Sequence, residues 1–266
     1  MANCKKEKVM SLQYMKVSVS DYVATVVMDR PPVNAQNAQF RAEIMEVFDS
    51  FHDRDDVRVA VLTGAGKVFC AGADIKERGT IIKAPGDYAR HNRTAREYAN
   101  SIRECAVPVI AAVNGAALGA GFGLMAACDI MIASDDAVFG MPEIDVGLAG
   151  GAAMLSHLVG KSRGRRIIFT GDRIPAQEMY RLGVIESCVP REALMDEAMK
   201  IARTIAAKSP LAMRLAKKAY NVCENMPQRD GYRFEQDITV QLSYTEDAKE
   251  AQRAFAEKRK PVFKGK

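Results

Sequence analysis

Two segments rich in glycine and alanine have residue types suited to binding a ligand through the backbone. Residues 64–75 follow the apolar run 57–63, and residues 113–123 follow the apolar run 107–113. Small residues let a ligand approach the backbone closely. A strand that leads into a helix N-terminus also leaves N–H groups without intrahelical acceptors. Each segment is therefore suited to a phosphate or a developing oxyanion, although close helix packing would explain the same composition.

One carboxylate is placed for acid/base chemistry. Glu143 lies in the apolar stretch 139–148, between Pro142 and Ile144. Apolar surroundings raise the pKa of a carboxyl group towards the range that proton transfer near neutral pH requires. On the sequence alone, a place in an exposed surface turn is the alternative for Glu143.

Metal and dinucleotide sites are disfavoured. The six cysteines are scattered without a C-x-x-C pair, and the chain has only three histidines, so we expect reduced thiols and no metal centre. Gly119-x-Gly121-x-Gly123 is not the dinucleotide fingerprint, because Leu124 stands where that motif requires glycine.

The composition is that of an ordinary folded protein with a mildly basic surface. The chain has 266 residues, of which 48% are hydrophobic and 27% charged, and a formal net charge of +5. This balance suits a polyanionic ligand but lacks the dense Lys/Arg patches of a nucleic-acid binder. No apolar run reaches the length of about 18 residues expected of a membrane span, and the N-terminus lacks the apolar stretch of a signal peptide. We expect a cytoplasmic protein with no nucleic-acid or membrane partner.

The elements that must position these residues are strand–strand–helix units followed by helices. Two short strands are predicted within residues 14–30. Further strands are predicted at 57–63, 107–113, 129–133 and 137–139. Helices are predicted at 35–52, 87–105, 191–208, 210–223, 230–243 and 245–259, and between Pro175 and Gly183. Beyond residue 151 the pattern is almost wholly helical. Strands that alternate with helices predict an α/β core, with the helical tail packed on it.

In combination, these segments resemble the crotonase (enoyl-CoA hydratase/isomerase) superfamily. Residues 68–76 resemble its first oxyanion-hole loop, and residues 107–130 resemble its second loop and the helix that follows. The other matching segments are residues 138–148, 170–189 and 254–263. The resemblance covers about residues 14–263, so it extends over nearly the whole chain.

The resemblance implies a fold, an assembly and a reaction type. The expected fold is a ββα spiral that binds acyl-CoA over residues 1–200, followed by a C-terminal helical trimerisation region over residues 201–266. A homotrimer or homohexamer is the expected assembly. The implied catalytic groups are the Glu143 carboxylate and the backbone N–H groups of Ala73 and Ala120, acting on an enolate of the thioester.

The resemblance also implies a coenzyme A channel. Lys258 and Lys260, near the C-terminus, would reach the phosphates of coenzyme A, from the same subunit or from a neighbouring one. The implied substrate-binding residues are Arg30, Val33, Ala35, Ala71, Gly72, Asp74, Ile75, Gly119, Gly123, Lys258 and Lys260. Coenzyme A enters as part of the substrate, so no separate cofactor is expected.

One position departs from the family pattern. Hydratases of the family use a second glutamate, which would fall on residue 123, where this chain has glycine. The extra aspartate of dienoyl-CoA isomerases would fall on Gly151. Hydratase/isomerase chemistry with a single glutamate is the favoured interpretation. The alternatives are a hydratase-lyase for aromatic acyl-CoA, a CoA-thioester decarboxylase, and a member that binds RNA or acyl-CoA without catalysis.

Overall fold

The computed structural model describes residues 12–81 and 83–266; Cys4 and the predicted features of the N-terminus lie outside these ranges. The described strands are β1 (Met15–Ser20), β2 (Val23–Met28), β3 (Val59–Gly64), β4 (Val68–Cys70), β5 (Val109–Val113), β6 (Ala116–Leu118), β7 (Ile130–Ser134), β8 (Val138–Gly140), β9 (Ile174–Pro175) and β10 (Ser187–Val189). The described helices are α1 (Ala38–Ser50), α2 (Ile75–Ile81), α3 (Asp87–Arg103), α4 (Ala120–Ala126), α5 (Ala152–Leu158), α6 (Lys161–Thr170), α7 (Ala176–Arg181), α8 (Leu194–Ala206), α9 (Pro210–Cys223), α10 (Gln228–Ser243) and α11 (Glu246–Ala256).

The strands form two sheets, and from β3 to β8 successive strands of the chain join the two sheets in turn. The larger sheet has the order β1-β2-β3-β5-β7-β10, and the smaller has the order β4-β6-β8-β9. In the pairs β3/β4, β5/β6 and β7/β8, the first strand joins the large sheet and the second joins the small one. Pairing is parallel except between β1 and β2 and between β8 and β9. This is the predicted ββα spiral.

Both faces of the large sheet are covered, which explains its apolar sequence. Every residue of β3 and β5 is buried, as expected of parallel strands between two layers. One face contributes to a core that includes Phe40, Phe48 and Phe122. The other face packs against α8, whose buried side chains recur every four residues: Leu194, Ala198, Ala202 and Ala206. Residue 200, the predicted domain boundary, lies inside this helix.

The C-terminal helices are joined to the core by an ion pair between the buried Lys217 and the partly exposed Asp129. Pro210 opens α9, as predicted, and the Ser209 hydroxyl caps it by accepting the Ala212 N–H at 3.3 Å. The Nζ atom of Lys217 lies 2.8 Å from an oxygen of Asp129 and also donates to two backbone carbonyls. Removing Asp129 would leave the buried charge of Lys217 without its partner, so this contact fixes α9 against the start of β7.

Three sequence predictions require correction. The region beyond residue 151 contains two short strands, β9 and β10, that extend the edges of the two sheets. Each glycine-bearing segment contains a three-residue strand, β4 or β6, and α4 begins at Ala120, inside the second segment. Strands this short are stabilised by pairing with distant residues, and their own periodicity does not reveal them.

The described cysteines form no disulfide. Cys70, Cys105, Cys128, Cys188 and Cys223 are free, and the first three are buried. Among the described residues, no group of acidic residues, cysteines and histidines has the geometry of a metal site. No helix in the described ranges has both the length and the apolar character needed to cross a membrane.

Candidate active site

The first glycine-bearing segment is held by a short stretch that precedes α1. The Gln36 N–H donates to the Gly72 carbonyl at 2.8 Å, and the Gln36 carbonyl accepts the Asp74 N–H at 3.0 Å. These two bonds make a parallel bridge between Gln36 and Ala73. In a parallel bridge, one residue bonds to the residues before and after its partner and not to the partner itself. The N–H of the partner therefore points away from the bridge. The Ala73 N–H is therefore directed to the side opposite Gln36.

Most of the predicted coenzyme A-binding residues of this region lie together. The Arg30 guanidinium lies 2.7 Å from the Asp74 carboxylate and donates to the Ala35 carbonyl at 2.7 Å. The Ala71 N–H donates to the Val33 carbonyl at 3.0 Å. The hydrogen bond from Arg30 lowers the pKa of Asp74, so Asp74 is a carboxylate near neutral pH. The polar groups of Arg30 and Asp74 thus join the stretch before α1 to the first segment.

The second segment contacts the first through glycine. A Cβ atom on Gly72 would lie 2.8 Å from the Leu118 carbonyl oxygen and 3.5 Å from the Ala120 nitrogen. A Cβ atom on Gly121 would lie only 2.1 Å from the Cys70 carbonyl oxygen. Any side chain at either position would push the segments apart, because real Cβ atoms do not approach a backbone oxygen this closely. Gly72 and Gly121 therefore allow the two segments to touch.

Two backbone donors remain unpaired where the segments meet. Ala120 is the first residue of α4, so its N–H has no acceptor within the helix. Within residues 12–81 and 83–266, neither the Ala73 N–H nor the Ala120 N–H donates a hydrogen bond to another protein group. Two such donors on adjoining segments are what an oxyanion requires.

Glu143 lies beside the start of α4. It belongs to a 3₁₀ turn, Pro142–Val146, and its Oε1 atom is 2.8 Å from the position that a Cβ on Gly119 would take. The Glu143 Oε2 atom is buried and has no hydrogen-bond partner in the described part of the chain. Burial raises the pKa of Glu143, as the sequence predicted. One flanking residue contributes less than expected, because Ile144 is 42% exposed. Gly119 and Gly150 are among the residues next to the Glu143 side chain.

Gly123 follows Gly119 on the same face of α4. The Gly123 N–H donates to the Gly119 carbonyl at 3.0 Å, and residues four apart share a helix face. A Cβ on Gly123 would lie 3.1 Å from the Met154 sulfur and 3.2 Å from its Cε atom. Glu143 thus covers Gly119, while the thioether of Met154 covers Gly123. Met154 also lines a cavity of about 570 Å³ that reaches Ala127, one turn further along α4.

Three predicted binding residues are not brought to this cluster by any described polar contact. Ile75, at the start of α2, has a side chain that is 69% exposed. Lys258 and Lys260 lie in the exposed segment after α11. Among the described residues, no side-chain hydrogen bond or ion pair connects either lysine with the two glycine-bearing segments. Their role in binding coenzyme A stays a prediction.

Sequence reasoning missed two polar side chains behind the second segment. Gln36 is 1% exposed and Tyr98 is 3% exposed. The Tyr98 hydroxyl donates to the Gln36 side-chain oxygen at 2.8 Å, and both side chains contact the Ala120 carbonyl. Burial raises the pKa of Tyr98, which keeps its proton available for donation. Their sequence signal is weak, because other polar residues lie on both sides of each: Asn34 and Asn37 near Gln36, and Glu97 and Asn100 near Tyr98.

Comparison with known proteins places this arrangement in a family. The family model for enoyl-CoA hydratase/isomerase matches residues 18–266. A probable mitochondrial enoyl-CoA hydratase 2 of Arabidopsis thaliana is 37% identical over 248 residues, which cover 91% of this chain and 82% of the relative. A carnitinyl-CoA dehydratase of Citrobacter koseri is 36% identical over 257 residues, covering 92% of this chain and 95% of the relative.

A solved structure agrees in fold over nearly the full length. The enoyl-CoA hydratase of Bacillus anthracis superimposes with a TM-score of 0.91 at 33% identity, covering 96% of this chain and all of that one. Sequence and fold therefore agree: this chain belongs to the enoyl-CoA hydratase/isomerase family of acyl-CoA enzymes, the crotonase superfamily that its motifs resemble.

Proposed function

We propose that this enzyme stabilises the enolate of an acyl-CoA thioester between the backbone N–H groups of Ala73 and Ala120, with Glu143 as the only catalytic carboxylate. The observation that carries the proposal is the pair of unpaired N–H groups on two touching segments, with a partly buried carboxylate one residue from the second donor. Donors held in place before the reaction stabilise developing negative charge without reorganisation.

The proposed chemistry is proton transfer along the acyl chain. With a β,γ-unsaturated thioester, the Glu143 carboxylate takes a proton from Cα, and the electron pair of that C–H bond moves into the thioester carbonyl. The resulting oxyanion accepts hydrogen bonds from Ala73 and Ala120. Glu143 then returns the proton at Cγ, and the electrons flow back to give the α,β-unsaturated thioester. No external oxidant, reductant or metal takes part in this balance.

The surroundings of Gly123 favour this isomerisation over hydration. Water addition needs a group that orients water as well as one that moves its proton. The Met154 thioether lies against Gly123, and thioether sulfur is only a weak acceptor, so Glu143 alone would hold the water. We therefore propose slow hydration of short, straight-chain enoyl-CoA and faster movement of a proton between carbons.

A panel of acyl-CoA substrates tests the proposal. Purified protein is incubated with a 3-enoyl-CoA, a 2-enoyl-CoA, a hydroxycinnamoyl-CoA and a malonyl-type thioester, and the products are followed by absorbance and mass. Conversion of the 3-enoyl-CoA to its 2-enoyl isomer, lost in Glu143→Gln, supports isomerase chemistry. Cleavage of the aromatic substrate or loss of CO₂ would support the hydratase-lyase or decarboxylase alternative. Binding to RNA on a filter without retention on CoA-agarose would contradict an acyl-CoA enzyme.

The proposal includes a binding position for coenzyme A and the assembly of the subunits. Coenzyme A would lie along Arg30, Val33, Ala35 and the segment 71–75, as part of the substrate and with no separate cofactor. Assembly as a homotrimer or homohexamer is supported by exposed aromatic side chains on the C-terminal helices: Tyr220, Tyr232, Tyr244 and Phe255. A large exposed apolar surface commonly marks an interface. A cytoplasmic location stays a prediction.

A further inference from the structure

One buried side chain lies between the two segments that carry the unpaired donors. The backbone of Gln36 bonds to Gly72 and Asp74, the residues on either side of Ala73, at 2.8 and 3.0 Å. The Gln36 carbonyl also accepts a hydrogen bond from the Arg41 guanidinium at 3.0 Å. The first segment is thus fixed to Gln36 on both sides of its donor.

The side chain of the same residue reaches the second segment. The Gln36 Nε2 atom donates to the Ala120 carbonyl at 3.1 Å and to the Cys70 sulfur at 3.2 Å. Its Oε1 atom accepts the Tyr98 hydroxyl at 2.8 Å, and that hydroxyl also lies 3.2 Å from the Ala120 carbonyl. Ala120 is therefore held from behind by two polar side chains from different parts of the chain.

These contacts give every polar group of the buried Gln36 side-chain amide a hydrogen-bond partner. Both N–H groups of the Gln36 amide have acceptors, and its oxygen has a donor. A buried polar group without partners is costly, so a satisfied network of this kind holds one geometry firmly. Gln36, Tyr98 and Ala120 come from positions far apart in the chain, and their contacts fix the distance between two segments that share no covalent link nearby.

We propose that Gln36, supported by Tyr98, is the positioning residue that sets the spacing of the Ala73 and Ala120 N–H groups. The proposal rests on the proposed oxyanion hole and deepens it. Gln36 is not expected to touch the substrate or the reacting atoms; it acts through the backbone of both donors. A displacement of about 1 Å at a catalytic group can lower a rate about 10²-fold, so a small movement of Ala120 would weaken the enolate while leaving the binding of coenzyme A intact.

Two variants separate the side-chain contacts from the backbone bridge. Gln36→Leu keeps a side chain of similar size and leaves the backbone bonds to Gly72 and Asp74 available, but removes the amide from Ala120. Tyr98→Phe removes only the hydroxyl. We expect kcat to fall about 10- to 100-fold in Gln36→Leu and less in Tyr98→Phe, with KM changed less than about threefold. Because both act on the same carbonyl, the double variant should lose much less than the product of the two single effects.

Ser134→Ala is the matched control. Ser134 is fully buried, and its hydroxyl donates to the Val113 carbonyl at 3.3 Å in the large sheet. This substitution also removes one buried side-chain-to-backbone hydrogen bond, but it does so away from both donors. A comparable fall in the melting temperature with unchanged kcat is expected, which separates loss of stability from loss of positioning.

The decisive readout is the polarisation of a bound thioester. Cinnamoyl-CoA is added to Glu143→Gln protein, which is not expected to turn it over, and the red shift of its absorbance on binding reports how strongly the carbonyl is polarised. We expect the shift to shrink when Gln36→Leu or Tyr98→Phe is added and to persist with Ser134→Ala. If none of the three substitutions changes the shift, the positioning role of Gln36 is wrong, while the proposed oxyanion hole is not contradicted. Binding without any shift in the parent protein would refute the proposed oxyanion hole, and the positioning role with it.

Discussion

The Glu143 carboxylate lies against the backbone of Gly119, with Oε1 2.8 Å from the place where a Cβ on Gly119 would be. Gly119 is the N-cap of α4 and has a φ of +53°. It immediately precedes Ala120, whose N–H is one of the two unpaired donors. Because Gly119 has no side chain, the carboxylate can lie next to the proposed oxyanion site. A substitution at Gly119 therefore tests this placement without changing Glu143 or the Ala120 N–H.

Gly119→Ala should reduce turnover by moving Glu143. The new methyl group would occupy the space of the carboxylate oxygen, so we expect kcat to fall about 10²-fold or more, since small misplacements are this costly. Gly66→Ala is the control, because Gly66 also has a positive φ of +74° but no atom within 4 Å of its Cβ position. Both variants should lose stability through backbone strain, of order 1 kcal/mol. Equal activity of the two variants would remove the Gly119–Glu143 contact from the mechanism.

Ala120→Pro tests the second donor. Proline lacks an N–H and is well tolerated as the first residue of a helix, which is the position of Ala120 in α4. Loss of one oxyanion donor lowers the rate about 10²–10³-fold. Ala120→Ser retains the N–H and should be far milder. Equal loss in both variants, with the fold intact by circular dichroism, would show that space at residue 120 matters and its N–H does not.

The raised pKa of Glu143 has consequences for both rate and stability. Burial raises this pKa above its ordinary value of 4.5. As a base, Glu143 must be ionised, so kcat/KM should fall as the pH drops through the raised pKa, and a titration of activity would give an apparent value above 4.5. A step at or below the ordinary value would contradict a buried base.

Stability should respond to the same group with the opposite sign. Because its pKa is raised, Glu143 binds a proton more tightly in the folded state, so the folded state loses stability as the pH rises through the raised value. Glu143→Gln is therefore expected to raise the melting temperature near neutral pH, by about 1–3 °C. The gain in melting temperature over the unmodified protein should shrink below the ordinary pKa of 4.5, where the Glu143 carboxyl group is protonated in both the folded and the unfolded state. Scanning calorimetry at both pH values checks this.

The sequence predicted the candidate functional groups but not the contacts that hold them in place. Glycine-rich composition predicted that each of the segments around Ala73 and Ala120 could bind a ligand through its backbone, and the structure shows that the two segments touch. The apolar flank of Glu143 predicted its raised pKa, while the catalytic roles of these residues stay a prediction. Gln36 and Tyr98 were missed because their importance depends on contacts between residues that are far apart in the chain. The strands β4, β6, β9 and β10 were missed for a related reason: pairing with distant strands stabilises them, and a run of two or three residues has no periodicity to detect.

Gly123→Glu should raise hydration of crotonyl-CoA only when Met154 is also shortened. Glutamate is a better helix former than glycine, but its Cβ would lie 3.1 Å from the Met154 sulfur. We expect little gain in Gly123→Glu alone and a clear gain, about tenfold, in Gly123→Glu/Met154→Ala, where a second carboxylate can orient water. Met154→Ala alone is the control for the enlarged space. Rapid hydration by the unmodified enzyme would show that another group already holds the water.

Exchange of the Cα proton of a saturated acyl-CoA with deuterium from solvent tests directly whether Glu143 forms an enolate, because it needs only the enolate and the base. Butyryl-CoA is incubated in D₂O with the unmodified enzyme, with Glu143→Gln and with Gly66→Ala, and incorporation at Cα is followed by NMR and mass. We expect exchange by the unmodified enzyme and by Gly66→Ala, and a rate about 10²–10⁴-fold lower in Glu143→Gln with thioester binding retained. Exchange in Glu143→Gln within about fivefold of the unmodified rate, well short of the loss expected for a general base, would contradict the proposed role of Glu143.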